Sequence, residues 1–158
     1  MDFNAIGARH HVWVEAMGWH NKTRLESLAL IASEIGEAAG ECLNGPTEHF
    51  GEELADIVLR TVDLAHSEGI DLSGEVSRIK LDWPYDDLLA GLADAMYHYA
   101  LWSNTARVLV VGPEYAQHMA GLMVRMQRIA ELAHVDLHAE VAKKLAKNAQ
   151  RGTRGRVI

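Results

Sequence analysis

The chain has 158 residues, which is enough to bury a hydrophobic core, and we predict that residues 1–158 form a single domain. Its 22 acidic and 15 basic side chains give a formal net charge of −7, which argues against a nucleic-acid partner because phosphate-backbone affinity is largely cationic. The sequence has no apolar run of membrane-spanning length and no signal-peptide pattern at its start, so no membrane partner is expected. The single cysteine, Cys42, excludes an intramolecular disulfide and fits a reducing, cytoplasmic compartment.

Hydrophobic residues that recur about every 3.6 positions predict helices along most of the chain. In order, the predicted helices span about Phe3–Met17, Leu25–Leu43, Thr47–Ser67, Asp71–Lys80, Tyr85–Ser103, Pro113–His134 and Asp136–Asn148. Thr23 and Glu26 are expected to form a capping box, Thr47 to cap the third helix, and Pro84 to begin the fifth. The segment 106–111 is the one β-like run, and we interpret it as a connector because a lone strand has no partner. The pattern predicts an all-α fold, an antiparallel helical bundle.

A motif of the first half returns in the second half and indicates an internal duplication of a helix hairpin. The stretch that begins Asp63-Leu-Ala-His returns, three residues shorter overall, at Glu131-Leu-Ala-His. Two pseudo-repeats, about 23–80 and 85–151, follow from this match. In this register Asp94 is the one acidic residue of the second half that falls opposite an acid of the first-half pairs. We therefore expect one metal site per chain.

Two acidic pairs carry the strongest chemical signal. Glu34 and Glu37 are three residues apart on the second predicted helix, as are Glu53 and Asp56 on the third, so each pair places two carboxylates on one helix face. If the two faces pack together, four carboxylates meet, and their repulsion calls for cations. Oxygen-rich clusters suit Mg²⁺, with Mn²⁺ as a substitute. The alternative is that these acids are solvated charges on two surface helices.

These acidic residues resemble the motifs of the MazG-like, all-α nucleoside triphosphate pyrophosphohydrolases. That superfamily also includes dimeric dUTPases, dCTP pyrophosphatases and phosphoribosyl-ATP pyrophosphohydrolase. Its Glu-Glu-x-x-Glu motif is similar to residues 33–37, where Ser33 stands in place of the leading Glu, and its Glu-x-x-Asp motif is similar to residues 53–56. The resemblance is strong over residues 25–80 and returns over 131–155.

A further motif of the family places phosphate-binding residues in the second half. Many members carry a Lys-x-x-x-Asn-x-x-Arg segment that touches the nucleotide phosphates, and it is intact here as Lys144, Asn148 and Arg151. The equivalent stretch of the first half, from Lys80, reads Lys-x-x-x-Pro-x-x-Asp and is broken. The resemblance therefore implies that the first half binds the metal and the second half binds the phosphates.

The resemblance implies a Mg²⁺-dependent hydrolase of nucleotide metabolism that removes unwanted nucleoside triphosphates. Glu34, Glu37, Glu53 and Asp56 would hold the metal and act in catalysis. A water, oriented by Glu37 or Glu34, attacks the α-phosphorus of an NTP or dNTP, and the monophosphate forms as pyrophosphate leaves. Two alternative functions stay open. The protein could hydrolyse phosphoribosyl-ATP, or it could be a non-catalytic helical interaction module whose acidic residues are residual.

The base and the partners are less constrained by these motifs. Trp13, Trp19 and His20 are candidates for stacking on the nucleobase, and the alternative is that they pack the helical bundle. Family members form oligomers, so we expect a homodimer or a chain that is itself pseudo-dimeric. The nucleoside triphosphate is the expected small-molecule partner.

Overall fold

A computed structural model describes residues 1–19, 23–107 and 112–153 of the chain. Within these ranges the regular secondary structure is entirely helical, which confirms the all-α prediction. The helices are α1 (Phe3–Ala16), α2 (Arg24–Gly40), α3 (Phe50–Ser67), α4 (Leu72–Arg78), α5 (Leu88–Thr105), α6 (Pro113–Leu132) and α7 (Leu137–Ala149). Of the predicted β-like run, 106–107 forms a turn and 108–111 lies outside the described residues. None of the described helices combines the length and the apolar character needed to cross a membrane.

Most predicted helix starts are confirmed because local capping groups define them. The Thr23 hydroxyl accepts a hydrogen bond from the Glu26 N–H at 3.2 Å, and the Thr23 N–H donates to the Glu26 carboxylate at 3.0 Å. This reciprocal pair satisfies two N–H groups that the helix leaves open. Asp71 and Asp136 cap α4 and α7 through their side chains, and Pro113 is the first residue of α6.

The predicted start of the fifth helix at Pro84 is wrong. Helix α5 begins at Leu88, and the Asp87 side chain caps it. The Trp83 ring packs directly on Gly91, where an added Cβ would lie 2.8 Å from the ring. In a continuous helix these two residues would be separated by about 12 Å along the axis. The chain before α5 is therefore non-helical because the tryptophan folds back onto the helix.

The predicted cap of the third helix at Thr47 is also wrong. Helix α3 begins at Phe50, and its N-cap residue His49 makes no side-chain capping hydrogen bond. The Thr47 hydroxyl instead accepts from the His49 N–H at 3.2 Å and donates to the Glu41 carboxylate. Thr47 thus stabilises the turn between α2 and α3 rather than the helix start.

The helices pack in a pattern that relates the two halves. Helix α2 packs on α3 as α5 packs on α6, while α4 packs on α6 and α7 packs on α3. The last helix of the first half, α4, therefore packs on the second half, and the last helix of the second half, α7, packs on the first. The turns that precede α4 and α7 also match, because Gly69 (φ 69°) and His134 (φ 56°) both adopt the left-handed conformation. The next residue of each turn bonds to the carbonyl five positions earlier, at 2.9 and 2.8 Å.

Helix α3 lies at the centre of this arrangement and positions the acidic residues. It packs against α1, α2, α6 and α7, and one hydrophobic cluster includes side chains from all seven described helices. Leu54, Ile57 and Val58 of α3 are fully buried between the acidic positions. Opposite this apolar side, Glu53 lies beside Glu34 and Glu37 of α2. Glu52 and Asp56 contact Lys144 of α7.

Asp94, which the predicted repeat places opposite Glu34, belongs to an ion pair between α5 and α6. Arg125, which is 7% exposed, donates from Nε to Asp94 Oδ2 at 2.6 Å and from Nη1 to the Gly121 carbonyl at 3.0 Å. The Tyr85 hydroxyl donates to the same carboxylate at 3.3 Å. A guanidinium thus pairs with the one acid of the second half that the predicted repeat places opposite a predicted metal ligand.

We expect Asp94→Ala to reduce stability and to leave unchanged the nucleotide hydrolysis that the resemblance implies. The variant would leave Arg125 buried without a carboxylate, which lowers the free energy of unfolding by about 3 kcal/mol. Urea denaturation measures this loss, and turnover is measured at a temperature where circular dichroism shows the variant folded. Glu131→Ala is the control, since its exposed pair with Arg128 contributes at most about 1 kcal/mol. If Asp94→Ala reduced turnover as much as Glu34→Ala, the single-site prediction would be wrong.

Candidate metal and nucleotide site

Three of the four predicted metal ligands come together between α2 and α3. Glu34, Glu37 and Glu53 each offer a carboxylate oxygen, and these oxygens all lie within 4.8 Å of one another. Two oxygens bound to the same Mg²⁺ at about 2.1 Å lie at most about 4.2 Å apart, so any pair of these oxygens that is more widely separated must move closer to share one ion. The donors are all hard carboxylate oxygens, which is the ligand set that Mg²⁺ and Mn²⁺ prefer.

Neighbouring side chains hold two of these carboxylates in place. Glu34 is 6% exposed, and its Oε1 accepts a hydrogen bond from Arg60 Nε at 2.5 Å. Ser33 Oγ donates to Glu37 Oε1 at 3.0 Å. Ser33 takes the place of the leading glutamate in the motif that these residues resemble, and its hydroxyl orients the Glu37 carboxylate instead.

The fourth predicted ligand, Asp56, lies beside the group of three and is bound by a lysine. Lys144 of α7 has a side chain that is 7% exposed, and it donates to Asp56 Oδ2 and to Glu52 Oε1, the latter at 2.6 Å. Lys147 also reaches Glu52 Oε1, at 2.5 Å. A lysine that the motif assigned to phosphates is thus a counter-ion of the acidic cluster in this structure.

The crowded carboxylates change one another's acidity. Burial, reinforced by the negative charges of Asp56, Glu37 and Glu34, raises the pKa of Glu53 to about 7. Burial also raises the pKa of Glu34, although the positive charge of Arg60 opposes the increase. Without a cation, the cluster therefore retains protons at a pH where isolated glutamates have lost them.

The lysine contacts affect the other acids in different ways. Burial raises the pKa of Asp56, and the hydrogen bond and charge of Lys144 only partly oppose this. Hydrogen bonds from Lys144 and Lys147 lower the pKa of Glu52 to about 2. Burial lowers the pKa of Lys144, but its bonds to the two carboxylates outweigh burial, and the pKa lies above its usual value. Lys144 is therefore a permanent cation of this site.

We expect Glu53→Gln to become more stabilising, relative to the wild type, as pH rises. The folded-state pKa of Glu53 is about 7 against an ordinary 4.5, so the folded protein binds more protons in that interval and loses stability as pH rises through it. In EDTA, the melting temperature of Glu53→Gln should exceed that of the wild type by about 3 °C at pH 8, after allowance for solvent screening, and by less at pH 5.

The comparison between variant and wild type is needed because other groups titrate nearby. His10 and His98 have pKa values lowered mainly by burial, so they increase stability as pH rises through the range below 6.5. Glu52, with a pKa of about 2, contributes a constant amount above pH 4.5. These terms cancel in the difference between the two proteins. A melting-temperature difference between Glu53→Gln and the wild type that does not change with pH would show that the neighbours do not raise the pKa of Glu53.

A cavity of about 100 Å³ adjoins the acidic cluster and is lined by residues of α1, α3 and the end of α7. The tryptophans predicted to stack on a base, Trp13 and Trp19, meet the predicted phosphate-binding residues Asn148 and Arg151 here. Asp56 lines the same cavity and connects it to the carboxylates. His20, the third residue of the predicted base pocket, lies outside the described residues. Residues that the sequence analysis assigned to the base, the metal and the phosphates thus line one cavity.

Four further residues of this region were missed by the sequence interpretation. Glu52 and Arg60 each lie four residues from Asp56 on α3, so the same helix-face reasoning could have identified them. His10 and Asp63 also line the cavity. They carried no comparable signal, because their position depends on how α1 packs against α3.

Comparisons with known proteins do not assign the chain to a family. No family model matches it, and neither the curated proteins nor the solved structures contain a significant match. The residues of the site therefore remain the basis for any functional proposal.

Proposed function

We propose that this protein is a Mg²⁺-dependent nucleoside triphosphate pyrophosphohydrolase, which converts an NTP or dNTP and water to the monophosphate and pyrophosphate. One observation carries the proposal: carboxylate oxygens of Glu34, Glu37 and Glu53 lie within 4.8 Å of one another, and Asp56 next to them contacts Lys144 and lines a cavity with Asn148 and Arg151. A triphosphate bound with a metal needs an acidic pocket for the cation and positive donors for its phosphates. Helices α2 and α3 supply the first, and α7 supplies the second.

When bound, Mg²⁺ would neutralise phosphate charge and polarise the phosphoryl oxygens. The residues of the chain have separate tasks. Arg151 is suited to bidentate contact with phosphate oxygens, and the Asn148 amide can donate to them. Lys144 would transfer its hydrogen bonds from the α3 carboxylates to the triphosphate. Its transfer would free Asp56 to complete the metal site.

Glu37 is the better candidate for orienting the attacking water. Glu34 is buried and its Oε1 is bound to Arg60, so this carboxylate is less accessible to a water. Glu37 is exposed and its observed partner is the neutral hydroxyl of Ser33. In the proposed step, oxygen of water bonds to the α-phosphorus, the bond to the bridging oxygen breaks, and the proton of the water passes to the carboxylate.

The helix arrangement supports a MazG-like, internally duplicated hairpin as part of this proposal. The exchange of α4 and α7 between the halves places the tail of the second half against the acids of the first. A single chain would then contain what single-repeat relatives obtain by dimerisation, with one active site. The expected assembly is a homodimer or a single pseudo-dimeric chain, and size-exclusion chromatography with light scattering distinguishes the two.

Hydrolysis of a nucleotide panel in ¹⁸O-labelled water tests the proposal. The protein is incubated with NTPs, dNTPs and phosphoribosyl-ATP, with Mg²⁺ or with EDTA, and products are identified by mass spectrometry. We expect pyrophosphate release that requires Mg²⁺, with the label in the monophosphate, because attack at the α-phosphorus places the new oxygen there. Label in pyrophosphate, or no release from any substrate, would exclude this reaction. Exclusive cleavage of phosphoribosyl-ATP would favour the second enzyme class.

A further inference from the structure

We propose that Arg60 is a phosphate-binding residue of this site, which holds the predicted metal ligand Glu34 through Nε and binds a phosphate oxygen of the substrate through its Nη groups. This inference rests on the proposed function and adds to its site a residue that lies outside the sequence motifs. Three observations carry it: the contact between Arg60 and Glu34, the unused donors of the guanidinium, and the polar groups that line the neighbouring cavity.

The contact with Glu34 anchors the Arg60 side chain at the acidic cluster. Arg60 lies four residues after Asp56 on α3, and its Nε donates to Glu34 Oε1 of α2 at 2.5 Å. The Glu34 side chain is 8% exposed, so the carboxylate that receives this bond is itself buried. A guanidinium has five N–H donors, and a bond through Nε leaves the four donors of its two terminal nitrogens. Arg60 is therefore fixed in place without using the donors at its end.

The terminal N–H groups of Arg60 are available to a ligand. Nη1 and Nη2 make no hydrogen bond or ion pair with the part of the chain that the structure describes. The Arg60 side chain is 35% exposed, and it lines the cavity of about 100 Å³ together with Asn148 and Arg151. The planar guanidinium matches the oxygens of a phosphate group, because two parallel N–H bonds can form at once. Arg60 is therefore suited to a phosphate at the edge of the acidic cluster.

The charges around the cavity favour an anion. The two carboxylates that line it already have partners, since Lys144 donates to Asp56 and His11 Nδ1 lies 2.8 Å from Asp63 Oδ1. The Arg151 guanidinium, by contrast, makes no hydrogen bond or ion pair within the described residues. The two arginines of the wall thus present donors that its acids do not use. Two guanidinium groups on one small space attract an anion.

Two buried polar groups of the same wall also lack partners. His10 and Asn148 are each 7% exposed, and His10 Nδ1 and Asn148 Oδ1 are buried without a hydrogen-bond partner among the described residues. Such atoms usually mark a missing ligand or water. Burial lowers the pKa of His10, so the ring stays neutral, and a neutral ring with its proton on Nδ1 donates to an oxygen. The Asn148 amide can turn its NH₂ group to the same place. A phosphate oxygen would satisfy both residues.

A residue that contacts both the metal ligand and the phosphate couples the two. A phosphate on the Nη groups would hold the guanidinium in place, and the guanidinium would hold the Glu34 carboxylate beside Glu37 and Glu53. Metal and triphosphate should therefore bind more tightly together than apart. Arg60 differs in this from Lys144, which must leave its carboxylates to reach a phosphate, whereas Arg60 keeps its contact with Glu34.

Calorimetric titration with inorganic tripolyphosphate in Mg²⁺ tests the contact in the absence of a base and a sugar. Arg60→Met removes the guanidinium and keeps an unbranched apolar side chain. We expect its Kd for tripolyphosphate to be at least about tenfold higher than that of the wild type, because hydrogen bonds to a charged group are lost. An unchanged Kd in a variant that circular dichroism shows folded would overturn the inference. The absence of measurable binding to the wild type would also overturn it.

Arg60→Lys separates phosphate contact from neutralisation of Glu34. Lysine keeps a positive charge beside Glu34, so the urea midpoint should change little. Its single ammonium group lacks the planar fork that serves two partners, and the Kd for tripolyphosphate should rise at least about fivefold. Wild-type affinity in Arg60→Lys would show that Arg60 acts only as a counter-ion of Glu34 and would contradict the inference.

Arg24→Lys is the matched control for this exchange. Arg24 donates from Nε to Glu68 Oε1 at 2.5 Å, the same contact that Arg60 makes with Glu34, and it does not line the cavity. The control should bind tripolyphosphate within about twofold of the wild-type affinity. A similar loss in Arg24→Lys and Arg60→Lys would show a general effect of replacing a paired arginine, and the assigned contact would be wrong.

Steady-state kinetics distinguishes failure of this inference from failure of the proposed function. Arg60→Lys should raise KM for the preferred triphosphate about fivefold and lower kcat by less than about threefold, because the lost contact exists before and during the reaction. Mg²⁺-dependent hydrolysis, with tripolyphosphate affinity unchanged in both Arg60 variants, would leave the pyrophosphohydrolase proposal standing and overturn the role of Arg60. Weaker tripolyphosphate binding in these variants of a protein that hydrolyses no triphosphate would support the contact and overturn the enzymatic proposal.

Discussion

Glu53→Gln is expected to reduce kcat/KM for the preferred triphosphate by about 10³-fold, equivalent to about 4 kcal/mol of transition-state stabilisation. The substitution keeps the size of the side chain and removes the charge at the centre of the carboxylate group. Carboxylate oxygens are the protein ligands that usually bind Mg²⁺, and the charge of the ion neutralises the triphosphate in the proposed reaction. Initial rates of pyrophosphate release across a range of Mg²⁺ concentrations measure the effect.

The same substitution has an opposite effect on the metal-free protein, which makes the result diagnostic. Burial and neighbouring carboxylates raise the pKa of Glu53 to about 7, so its removal relieves repulsion and should increase stability in EDTA. Loss of activity together with a higher melting temperature cannot come from misfolding. Glu131→Gln makes the same chemical change at an exposed surface pair and should alter neither property. Full activity in Glu53→Gln would exclude Glu53 as a metal ligand.

Lys144→Met is expected to lower kcat/KM by about 10²-fold and to tighten Mg²⁺ binding in the absence of nucleotide. Lys144 donates to both Asp56 and Glu52, so its removal takes a positive charge out of the acidic cluster and makes the cluster more attractive to a cation. Catalysis should nevertheless suffer, because the phosphates lose a charged donor. Calorimetric Mg²⁺ titration and steady-state kinetics measure the two effects.

The neighbouring lysine provides a matched control for this prediction. Lys143 lies on the same helix, has a side chain that is 71% exposed, and pairs only with Glu140 in the described contacts. Lys143→Met should change neither Mg²⁺ affinity nor kcat/KM by more than about twofold. Circular dichroism must show Lys144→Met folded at the assay temperature, since loss of a buried ion-pair partner is destabilising. Weaker Mg²⁺ binding in the folded Lys144→Met protein would contradict the proposed role.

Much of the helical architecture could be predicted because its determinants are local. The capping box of Thr23 and Glu26 and the first-turn position of Pro113 depend only on residues a few positions apart. The prediction failed at Pro84 for a different reason. There the packing of Trp83 on Gly91 overrides a favourable helix-start signal, and no short-range pattern records such a contact.

The part of the candidate site that depends on spacing within one helix was also predictable. The acidic pairs share helix faces because an α-helix repeats every 3.6 residues, so their spacing alone indicates convergence. Glu52 lies on the same helix but outside the Glu-x-x-Asp motif of residues 53–56, so the motif does not predict its contact with Lys144. Its pairing with Lys144 joins residues 92 positions apart, and that pairing depends on where α7 lies.

The sequence by itself determined the helices, the faces that carry the acids, and the Lys, Asn and Arg spacing of the tail, because helix periodicity relates near neighbours along the chain. Only the tertiary structure decided that Lys144 contacts Asp56, and that Trp13 and Asn148 line one cavity of about 100 Å³. Those contacts join α1, α3 and α7, and their relative positions follow from packing of the whole core. A site that local spacing assigns to a metal thus acquires Lys144 as a counter-ion, and a neighbouring cavity, through long-range packing.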